Sequence, residues 1–550
     1  MGELMKLNSR VAFMCHEYLH KKNAPQFFDL TNIAKPSEAQ ELFSQLGFEH
    51  ETRVVAAIKS QSKSWVELAG VLAADREAAT SQAMNNADLT IIFGGVISDS
   101  ERIGKPDMLL RATASTWFPL DIKSHSAFGD LKSCLVAQTS LTQIPTDSDF
   151  TIPGRLDPLD SLQLAHYQRI LQSLGFADES DLGGIIGKDG QFITWMDLSA
   201  VVFSDSKDSA LSLYDARFAA SAQVIEASLA RTATSQPLPA IPRVDASKYG
   251  CKTCEFKYVC RDEMNLFEGS GHITLLAGVT IDKAKKFPSH LQNIKALAEA
   301  TGLTDKTELV AQEKARVWMS RKPALLSNFD SFDLPAFDVE IDIDLENSMA
   351  AVQEIDASAD ISQDRVFLYG FIRHDRVASD NWKDFEPDVF EDYSDTDDGE
   401  YQLLLNMWNW MNDQVAAAEA TDKSIGFFHY SSHEVTWWKR FVNRHGGKPG
   451  VPTEAVVNKF VRDYFVDLLK YTKRCAFPAM SYSIKDLAPL SGFSWGAEDA
   501  GGDIAMAKYK TAVDSSNPDA QSAQEWLREY NKDDVRATMS VRNWLRTLNL

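Results

Sequence analysis

Two carboxylates and a lysine stand close together in one short stretch of the chain. In Pro119-Leu120-Asp121-Ile122-Lys123, Asp121 and Lys123 are two residues apart and project from the same face of a strand. Asp107 lies on the preceding strand-like segment, so a hairpin would bring it opposite Asp121. Two carboxylates can hold Mg²⁺ or Mn²⁺, whose bound water attacks phosphate, and a lysine can stabilise the developing charge. A surface strand is the alternative interpretation of so short a motif.

Two amphipathic segments flank this stretch and offer further polar groups. The upstream segment, 40–60, predicts a helix that carries His50 and Glu51. The downstream segment, 161–174, predicts a helix closed by Gly175, with Gln163 and Tyr167 four residues apart on one face.

The ordered set over about residues 10–265 resembles the RecB-type branch of the PD-(D/E)xK nucleases. The resemblance implies that His50 or Glu51, Asp107 and Asp121 bind the metal. It also implies that Lys123 is catalytic and that Gln163 and Tyr167 contact DNA near the site.

Four of the six cysteines form a split pattern. Cys251, Cys254 and Cys260 are closely spaced, and Cys15, followed by His16, is the candidate for a fourth ligand. In a reducing compartment such clustering indicates a metal rather than disulfides. The same split pattern occurs in a subset of RecB-type nucleases, and this resemblance implies a [4Fe–4S] cluster that joins the two ends of the nuclease domain. A zinc site and ordinary buried thiols are the alternatives.

A second acidic group lies far downstream. On the predicted strand 336–343, Asp338, Glu340 and Asp342 alternate and therefore share one face, although a solvated edge strand would look the same. Tyr530 and Asp534 are four residues apart on a predicted helix, and Glu434 follows a predicted strand at 424–430.

Residues 330–550 resemble the RNase H-like, DnaQ-type 3′–5′ exonucleases. The resemblance implies that Asp338 and Glu340 form the first metal-binding motif, that Asp534 belongs to the third, and that Tyr530 orients the attacking water. Glu434 stands where the family's second motif has an aspartate, and His429 competes with it for that role. Two metal ions about 4 Å apart would stabilise the attacking and leaving oxygens.

The chain of 550 residues is too long for one core, and its patterns predict an α/β protein. We expect a PD-(D/E)xK restriction-endonuclease-like domain at 1–265, a helical connector at 266–330 and an RNase H-like domain at 331–550. The connector contains Leu276-Ala277-Gly278-Val279, which fits either a plain helical linker or a helix-hairpin-helix.

The composition restricts the class of protein. The formal net charge of −22 argues against non-specific coating of nucleic acid but permits a local basic channel. No apolar run is long enough to cross a bilayer, and the N-terminus lacks a signal-peptide pattern, so we expect a cytoplasmic protein without a membrane partner.

These patterns predict a nuclease that depends on Mg²⁺ or Mn²⁺ and acts on DNA with a single-stranded part, in DNA processing, repair or defence. The resemblance also implies a helicase partner. One alternative is a nucleic-acid-binding or scaffold protein with one active site, the C-terminal half being degenerate or directed at RNA. Another is an enzyme of smaller phosphate substrates such as nucleotides.

Overall fold

The computed structural model describes residues 6–36, 38–125, 127–203, 208–234, 251, 254–348, 365–375, 381–496 and 502–548. The N-terminal elements are α1 (His16–Asn23), α2 (Glu38–Gln61), β1 (Trp65–Glu67), α3 (Ala73–Met84), β2 (Ile91–Phe93), β3 (Ile97–Ser98), β4 (Ile103–Gly104), β5 (Met108–Arg111), β6 (Trp117–Ile122), β7 (Phe128–Ser140), β8 (Ile152–Leu156), α4 (Pro158–Leu174), β9 (Leu182–Ile186), β10 (Phe192–Asp197), β11 (Val201–Phe203), β12 (Asp208–Ser209) and α5 (Ala210–Leu229).

An eight-stranded sheet of order β1-β2-β5-β6-β9-β10-β7-β8 organises this half of the protein. Strand β6 lies in its interior, antiparallel to β5 and parallel to β9. The connection from β6 to β9 contains β7, β8 and α4. All six residues of β6 are buried because helices cover both faces of the sheet. Val54 and Ile58 of α2 pack on one face, and Ile170 and Leu171 of α4 pack on the other.

Helix α4 has well-defined ends. The Asp157 side chain accepts a hydrogen bond from the backbone N–H of Leu159, and Pro158 occupies the first turn. Gly175 closes the helix in the left-handed conformation, at φ +75°, as the sequence predicts. The helix therefore holds Gln163 and Tyr167 at a fixed height above the sheet.

The segment that follows is helical, as expected. It contains α6 (Lys257–Leu266), α7 (Ile281–Ala284), α8 (Ile294–Glu299), α9 (Lys306–Ser320) and the short strand β13 (Ala324–Leu325). Its apolar side chains form a small core of their own, against which Met480 also packs. Strand β13 pairs with a short strand of the C-terminal part, and Leu325 of β13 lies opposite Cys475. The connector is therefore attached to the C-terminal part.

The C-terminal elements are β14 (Val339–Asn347), β15 (Val366–Asp375), β16 (Asp388–Glu391), α10 (Asp397–Glu419), β17 (Ile425–His429), α11 (His433–His445), α12 (Glu454–Tyr464), β18 (Phe465–Asp467), α13 (Leu468–Thr472), β19 (Cys475–Ala476), α14 (Ile484–Leu487), α15 (Gly502–Val513) and α16 (Ala520–Thr547). A five-stranded sheet of order β16-β15-β14-β17-β18 places β14 at its centre. Strand β14 is antiparallel to β15 and parallel to β17, which is itself parallel to β18.

Two helical layers cover this sheet. The apolar side chains of β14, β15 and β17 form one core with α10, α11 and α12, while α16 contacts β14 and β15. Trp437 and Trp438 are buried in that core and act as packing residues.

The predicted elements agree with the structure in type more than in their bounds. The strand predicted at 336–343 begins and ends later, as Val339–Asn347. Strand β7 was not predicted, because its polar and apolar residues do not alternate regularly. In the part of the chain that the structure describes, no helix is both long and apolar enough to cross a membrane.

Two carboxylate clusters as candidate metal centres

The N-terminal cluster is built by the backbone of β5 and β6. Asp107 immediately precedes β5, and its carboxylate accepts a hydrogen bond of 2.8 Å from the backbone N–H of Ile122. In return, the backbone N–H of Asp107 donates to Asp121 Oδ1 at 3.3 Å. The antiparallel pairing thus brings together the two aspartates that the sequence predicts to be neighbours.

Lys123 links this pair of aspartates to α4. Its Nζ lies 3.2 Å from Asp121 Oδ2 and donates a hydrogen bond of 3.0 Å to Gln163 Oε1. Gln163 Nε2 donates to the Tyr167 hydroxyl at 2.7 Å, and that hydroxyl donates to the Lys105 carbonyl at 3.2 Å. Three polar side chains and the Lys105 carbonyl therefore form one continuous hydrogen-bonded row beside the two carboxylates.

The carboxylates of this cluster are crowded and poorly hydrated. Burial, and then the charge of Asp121, hold the pKa of Asp107 well above its usual range. The pKa of Glu51 on α2 is raised by the same two causes in the same order, so Glu51 faces the cluster. A divalent cation bound here would relieve this repulsion.

His50 lies behind the cluster. The ring is buried, with Nε2 located 3.1 Å from the Gly187 carbonyl, and its Nδ1 has no hydrogen-bond partner among the described residues. Its predicted role as a metal ligand stays a prediction.

Asp160 is a member of the cluster that sequence reasoning missed. Its carboxylate lies 4.0 Å from Lys123 Nζ and 3.5 Å from His125 Nε2. Burial raises the pKa of Asp160 to about 6, against the lowering effect of His125 and Lys123. Its position in the first turn of α4, three residues before Gln163, was the available signal, but acidic residues in that turn are common for helix-dipole reasons alone.

The cysteines from the two ends of the N-terminal half lie near one another. Cys15 Sγ accepts a hydrogen bond from the backbone N–H of Tyr18 at the start of α1, and Cys260 is buried on α6. Burial, followed by other effects that include the charge of Cys15, raises the pKa of both Cys254 and Cys260. Cys251 is described, whereas the two residues after it lie outside the described residues.

The C-terminal cluster joins the last part of β14 to α16. Oxygen atoms of Asp344, Glu346 and Asp534 all lie within 4.8 Å of one another. Within the described ranges, this is the one group of three such His, Cys, Asp or Glu donors. Asp344 and Glu346 are two residues apart on β14, so they share the face that α16 covers.

Polar residues from three elements surround these carboxylates. Asn531 Nδ2 donates to Asp344 Oδ2 at 2.8 Å. Lys485 Nζ and Trp495 Nε1 both donate to Asp534 Oδ1, at 2.8 and 2.6 Å. Lys485 also lies over the rings of Trp495 and Tyr530, 4.1 and 4.7 Å from their centroids.

Burial and mutual repulsion raise the pKa values of Asp344 and Glu346 well above the ordinary range, with Asp534 as the largest charged cause for both. The pKa of Tyr530 is also raised, by burial and then by Asp534, so its hydroxyl stays protonated. Glu434 contributes to the repulsion felt by Asp344 and Glu346. It is buried and lies 3.0 Å from His429 Nδ1.

The structure corrects the prediction for the first metal-binding motif of this half. Asp338 is exposed and accepts hydrogen bonds from the backbone and hydroxyl of Ser424, at 2.9 and 2.7 Å. Glu340 is buried in an ion pair with Arg542 and accepts hydrogen bonds from Arg546 at 2.6 and 2.8 Å. Neither lies with Asp534. The alternation of acidic residues continued to 344 and 346, and following it further would have found the pair that does.

Comparison with known proteins gives one result. A family model described as the RNase H superfamily matches residues 391–546. No curated protein matches the chain, and no solved structure matches it. The match includes Glu434, Tyr530 and Asp534, and β14, which supplies the other two carboxylates, pairs directly with the matched region through β17.

Residues 391–546 therefore form an RNase H-like domain, as the sequence predicts for the C-terminal part. This domain indicates nuclease-type activity on nucleic acid, and RNase H-like nucleases generally use divalent metals such as Mg²⁺.

Proposed function

We propose that the protein is a metal-dependent nuclease that hydrolyses phosphodiester bonds at the C-terminal cluster. The observation that carries this proposal is the convergence of Asp344, Glu346 and Asp534 within 4.8 Å beside an RNase H superfamily match. Three carboxylates so close together repel one another unless cations neutralise them. Oxygen donors of this kind are the ligands that Mg²⁺ and Mn²⁺ prefer.

The residues of the cluster have distinct roles in this proposal. Asp344, Glu346 and Asp534 hold the divalent ions, with Glu434 as a further ligand from the start of α11. When bound, the ions activate a water and stabilise the charge on the attacked phosphate. Tyr530, which remains protonated, orients that water by its hydroxyl. Asn531 fixes the orientation of the Asp344 carboxylate through its hydrogen bond of 2.8 Å.

The proposed substrate is DNA with a single-stranded part. The test is an assay of the full chain with Mg²⁺ or Mn²⁺ on end-labelled single-stranded DNA, duplex DNA with a 3′ overhang, and RNA of the same sequence. With the N-terminal cluster inactivated by Lys123→Met, we expect metal-dependent cleavage of the first two that is lost when Asp534→Asn is added. Cleavage of RNA alone would redirect the C-terminal site to RNA, and hydrolysis of mononucleotides but not oligonucleotides would contradict the proposal.

We propose a second nuclease site of the RecB-like PD-(D/E)xK type at the N-terminal cluster. It is supported by the contacts of Asp107, Asp121 and Lys123 and by the hydrogen-bonded row through Gln163 and Tyr167. Asp107, Asp121 and Glu51 are the proposed metal ligands, with His50 as a candidate behind them. Lys123 is the proposed catalytic cation, while Gln163 and Tyr167 hold it in place.

We propose that Cys15, Cys251, Cys254 and Cys260 bind a [4Fe–4S] cluster that joins α1 to α6. Four thiolates on one zinc ion, each about 2.3 Å from it, would have sulfurs about 3.8 Å apart. Among the described residues, however, no three thiol sulfurs lie within 4.8 Å of one another. In a cubane each thiolate binds a different iron, so a wider arrangement suits it better. Anaerobically purified protein should be brown and absorb near 400 nm; a colourless protein that contains zinc would refute the assignment.

A protein with only one active centre, the other serving to bind nucleic acid, is the competing proposal. It is distinguished by separate inactivation of the two clusters. If Lys123→Met removes all cleavage and Asp344→Asn removes none, the C-terminal cluster has no catalytic role. The proposed place in DNA processing, repair or defence, and the proposed helicase partner, rest on the RecB-type resemblance alone.

A further inference from the structure

A basic cavity lies in the helical connector and is lined by none of the residues of the two carboxylate clusters. Its volume is about 300 Å³, and Lys283, Lys306 and Lys314 contribute to its wall. The other lining residues are apolar or uncharged: Gly278, Val279, Phe287, Thr307, Val310, Ala311 and Asn328. No carboxylate belongs to the described lining, although the whole chain has a net charge of −22.

Lys314 is the most enclosed of the three lysines. Its Nζ donates one hydrogen bond, of 2.7 Å, to the Ala277 carbonyl, and it lies 5.4 Å from the centroid of the Tyr482 ring. An ammonium group has three N–H donors, so this geometry leaves donors for a ligand. Burial, and then the charge of Lys283, lower the pKa of Lys314 to about 8, and no carboxylate offsets these effects.

Two acidic residues, each next to a lysine of the cavity in sequence, accept hydrogen bonds from other groups. Asp305 caps α9 by accepting hydrogen bonds from the backbone N–H groups of Thr307 and Glu308. Glu313 accepts hydrogen bonds from the backbone and the hydroxyl of Ser327. The positive charge of the cavity is therefore not neutralised by these neighbours, and an anionic ligand would stabilise it.

One short segment, 482–485, contacts both the cavity and the C-terminal cluster. Tyr482 contacts Lys314, and Lys485, only three residues further, binds Asp534 at 2.8 Å. Three residues span at most about 11 Å even when fully extended. A strand of nucleic acid with one phosphate in the cavity would thus have another within reach of the carboxylates after a few nucleotides.

We infer that the cavity formed by Lys283, Lys306 and Lys314 binds a backbone phosphate of the nucleic-acid strand on which the C-terminal cluster acts. This inference rests on the proposed nuclease function. Its role is to hold the strand in place, since lysine–phosphate contacts supply affinity without reading sequence. The connector is then a part of the substrate path.

The test measures binding and cleavage separately. Binding is followed by the fluorescence anisotropy of a labelled 12-nucleotide single strand in EDTA, with Asp344→Asn in every protein so that no cleavage occurs. The test variant is Lys283→Met/Lys306→Met, because both side chains are exposed and their replacement spares the core. The matched control is Lys286→Met, which removes an exposed lysine of the same segment that does not line the cavity. Lys314→Met is added where thermal unfolding shows that it folds.

We expect the double variant to weaken binding about 5–10-fold. The salt dependence of log Kd should become shallower by about 0.7 for each lysine–phosphate interaction that the substitutions remove. In the background with Asp344 intact, KM for the oligonucleotide should rise while kcat stays unchanged. Lys286→Met should behave as the unmodified protein.

The failures are distinguishable. Normal cleavage together with equal affinities in the double variant and in Lys286→Met would overturn this inference alone. The absence of any binding or cleavage in the unmodified chain would overturn the proposed function as well. The double variant could also bind the oligonucleotide with unchanged affinity but be inhibited less by a free mononucleotide than the unmodified protein is. That result would identify a nucleotide site and overturn the inference.

Discussion

The two carboxylate clusters differ in how their charge is balanced. In the N-terminal cluster, Lys123 lies on the same strand segment as Asp121, and backbone N–H groups donate to both Asp107 and Asp121. In the C-terminal cluster, three carboxylates converge, and the cation that contacts them, Lys485, comes from a separate short helix and is partly exposed.

This difference indicates two chemical strategies. The N-terminal cluster has its positive group built in and held by Gln163, so a single metal and a lysine suit it. The C-terminal cluster has a surplus of negative charge, which suits more than one divalent ion. The two sites should therefore respond differently to the loss of one charged side chain.

The largest effect should follow from Asp344→Asn. Removing a metal ligand in the centre of the C-terminal cluster should reduce its cleavage rate by at least about 10²–10³-fold, as the loss of electrostatic stabilisation typically does. The rate is measured on a labelled oligonucleotide in the Lys123→Met background. Asp338→Asn is the control, because Asp338 lies on the same face but is exposed and bound to Ser424. Equal losses in both variants would refute the revised assignment.

Lys123→Met should lower the rate at the N-terminal cluster about 10²-fold or more, since a positioned cation or proton donor contributes about this much. The cleavage rate at the N-terminal cluster is measured in the Asp344→Asn background. The control is Lys63→Met, which removes an exposed lysine just beyond α2. Activity that survives Lys123→Met but not Asp121→Asn would show that the site works by metal alone and would weaken the contrast between the two clusters.

The pH dependence of stability should differ with and without metal. Unfolded carboxyl groups titrate near pH 4. In the folded, metal-free protein the pKa values of Asp107, Asp344 and Glu346 are raised, so the folded state binds more protons above that pH. The stability that protonation contributes is present at low pH and is lost as the pH rises through the raised pKa values.

In EDTA, Tm should therefore be lower at pH 8 than at pH 6. Mn²⁺ at about 100 times its Kd should raise Tm at pH 8 by about 5–10 °C, because ligand at that concentration stabilises the folded state by roughly 2.7 kcal/mol. Scanning calorimetry of Asp344→Asn and Asp107→Asn assigns this gain to one cluster or the other. A Tm that is higher at pH 8 in EDTA and does not respond to Mn²⁺ would argue against both centres.

The smallest effect is expected for Lys485→Met. Its contact with Asp534 is partly exposed and is worth about 1 kcal/mol, or roughly a 5-fold change in a binding constant. Because the lysine competes with the metal for Asp534, the variant should reach half-maximal activity at a lower Mn²⁺ concentration. Lys470→Met, which alters an exposed lysine of α13, is the control. A higher metal requirement would show instead that Lys485 assists metal binding.

Much of the fold could be predicted from local sequence. The helix predicted at 161–174 and its Gly175 cap follow from an apolar period and a capping residue, and the helix observed begins three residues earlier, at Pro158. Strand β7 could not be predicted in the same way, since its pairing with β10 and β8 depends on residues distant in the chain. The Asp107–Asp121–Lys123 group was predictable because one hairpin, a local structure, brings its members together.

The sequence by itself predicted that Asp338, Glu340 and Asp342 share one face of a strand, because side chains alternate with a period of two, and the same alternation continues to 344 and 346. Only the tertiary structure decided which of them converge in the C-terminal cluster. Helix α16 crosses this face in the direction opposite to β14. Its last turns carry Arg542 and Arg546, which neutralise Glu340, and Arg542 also binds Asp342. Asp534, earlier in the helix, meets Asp344 and Glu346.

The paired stretches of α16 and β14 have matching lengths. The twelve helical residues from Asp534 to Arg546 rise about 18 Å, and the six strand residues from Glu346 to Glu340 rise about 20 Å. A carboxylate paired with a buried arginine is already neutralised, whereas one that faces another carboxylate still requires a cation. That distinction depends on a helix about 200 residues away in the chain, and no local pattern carries it.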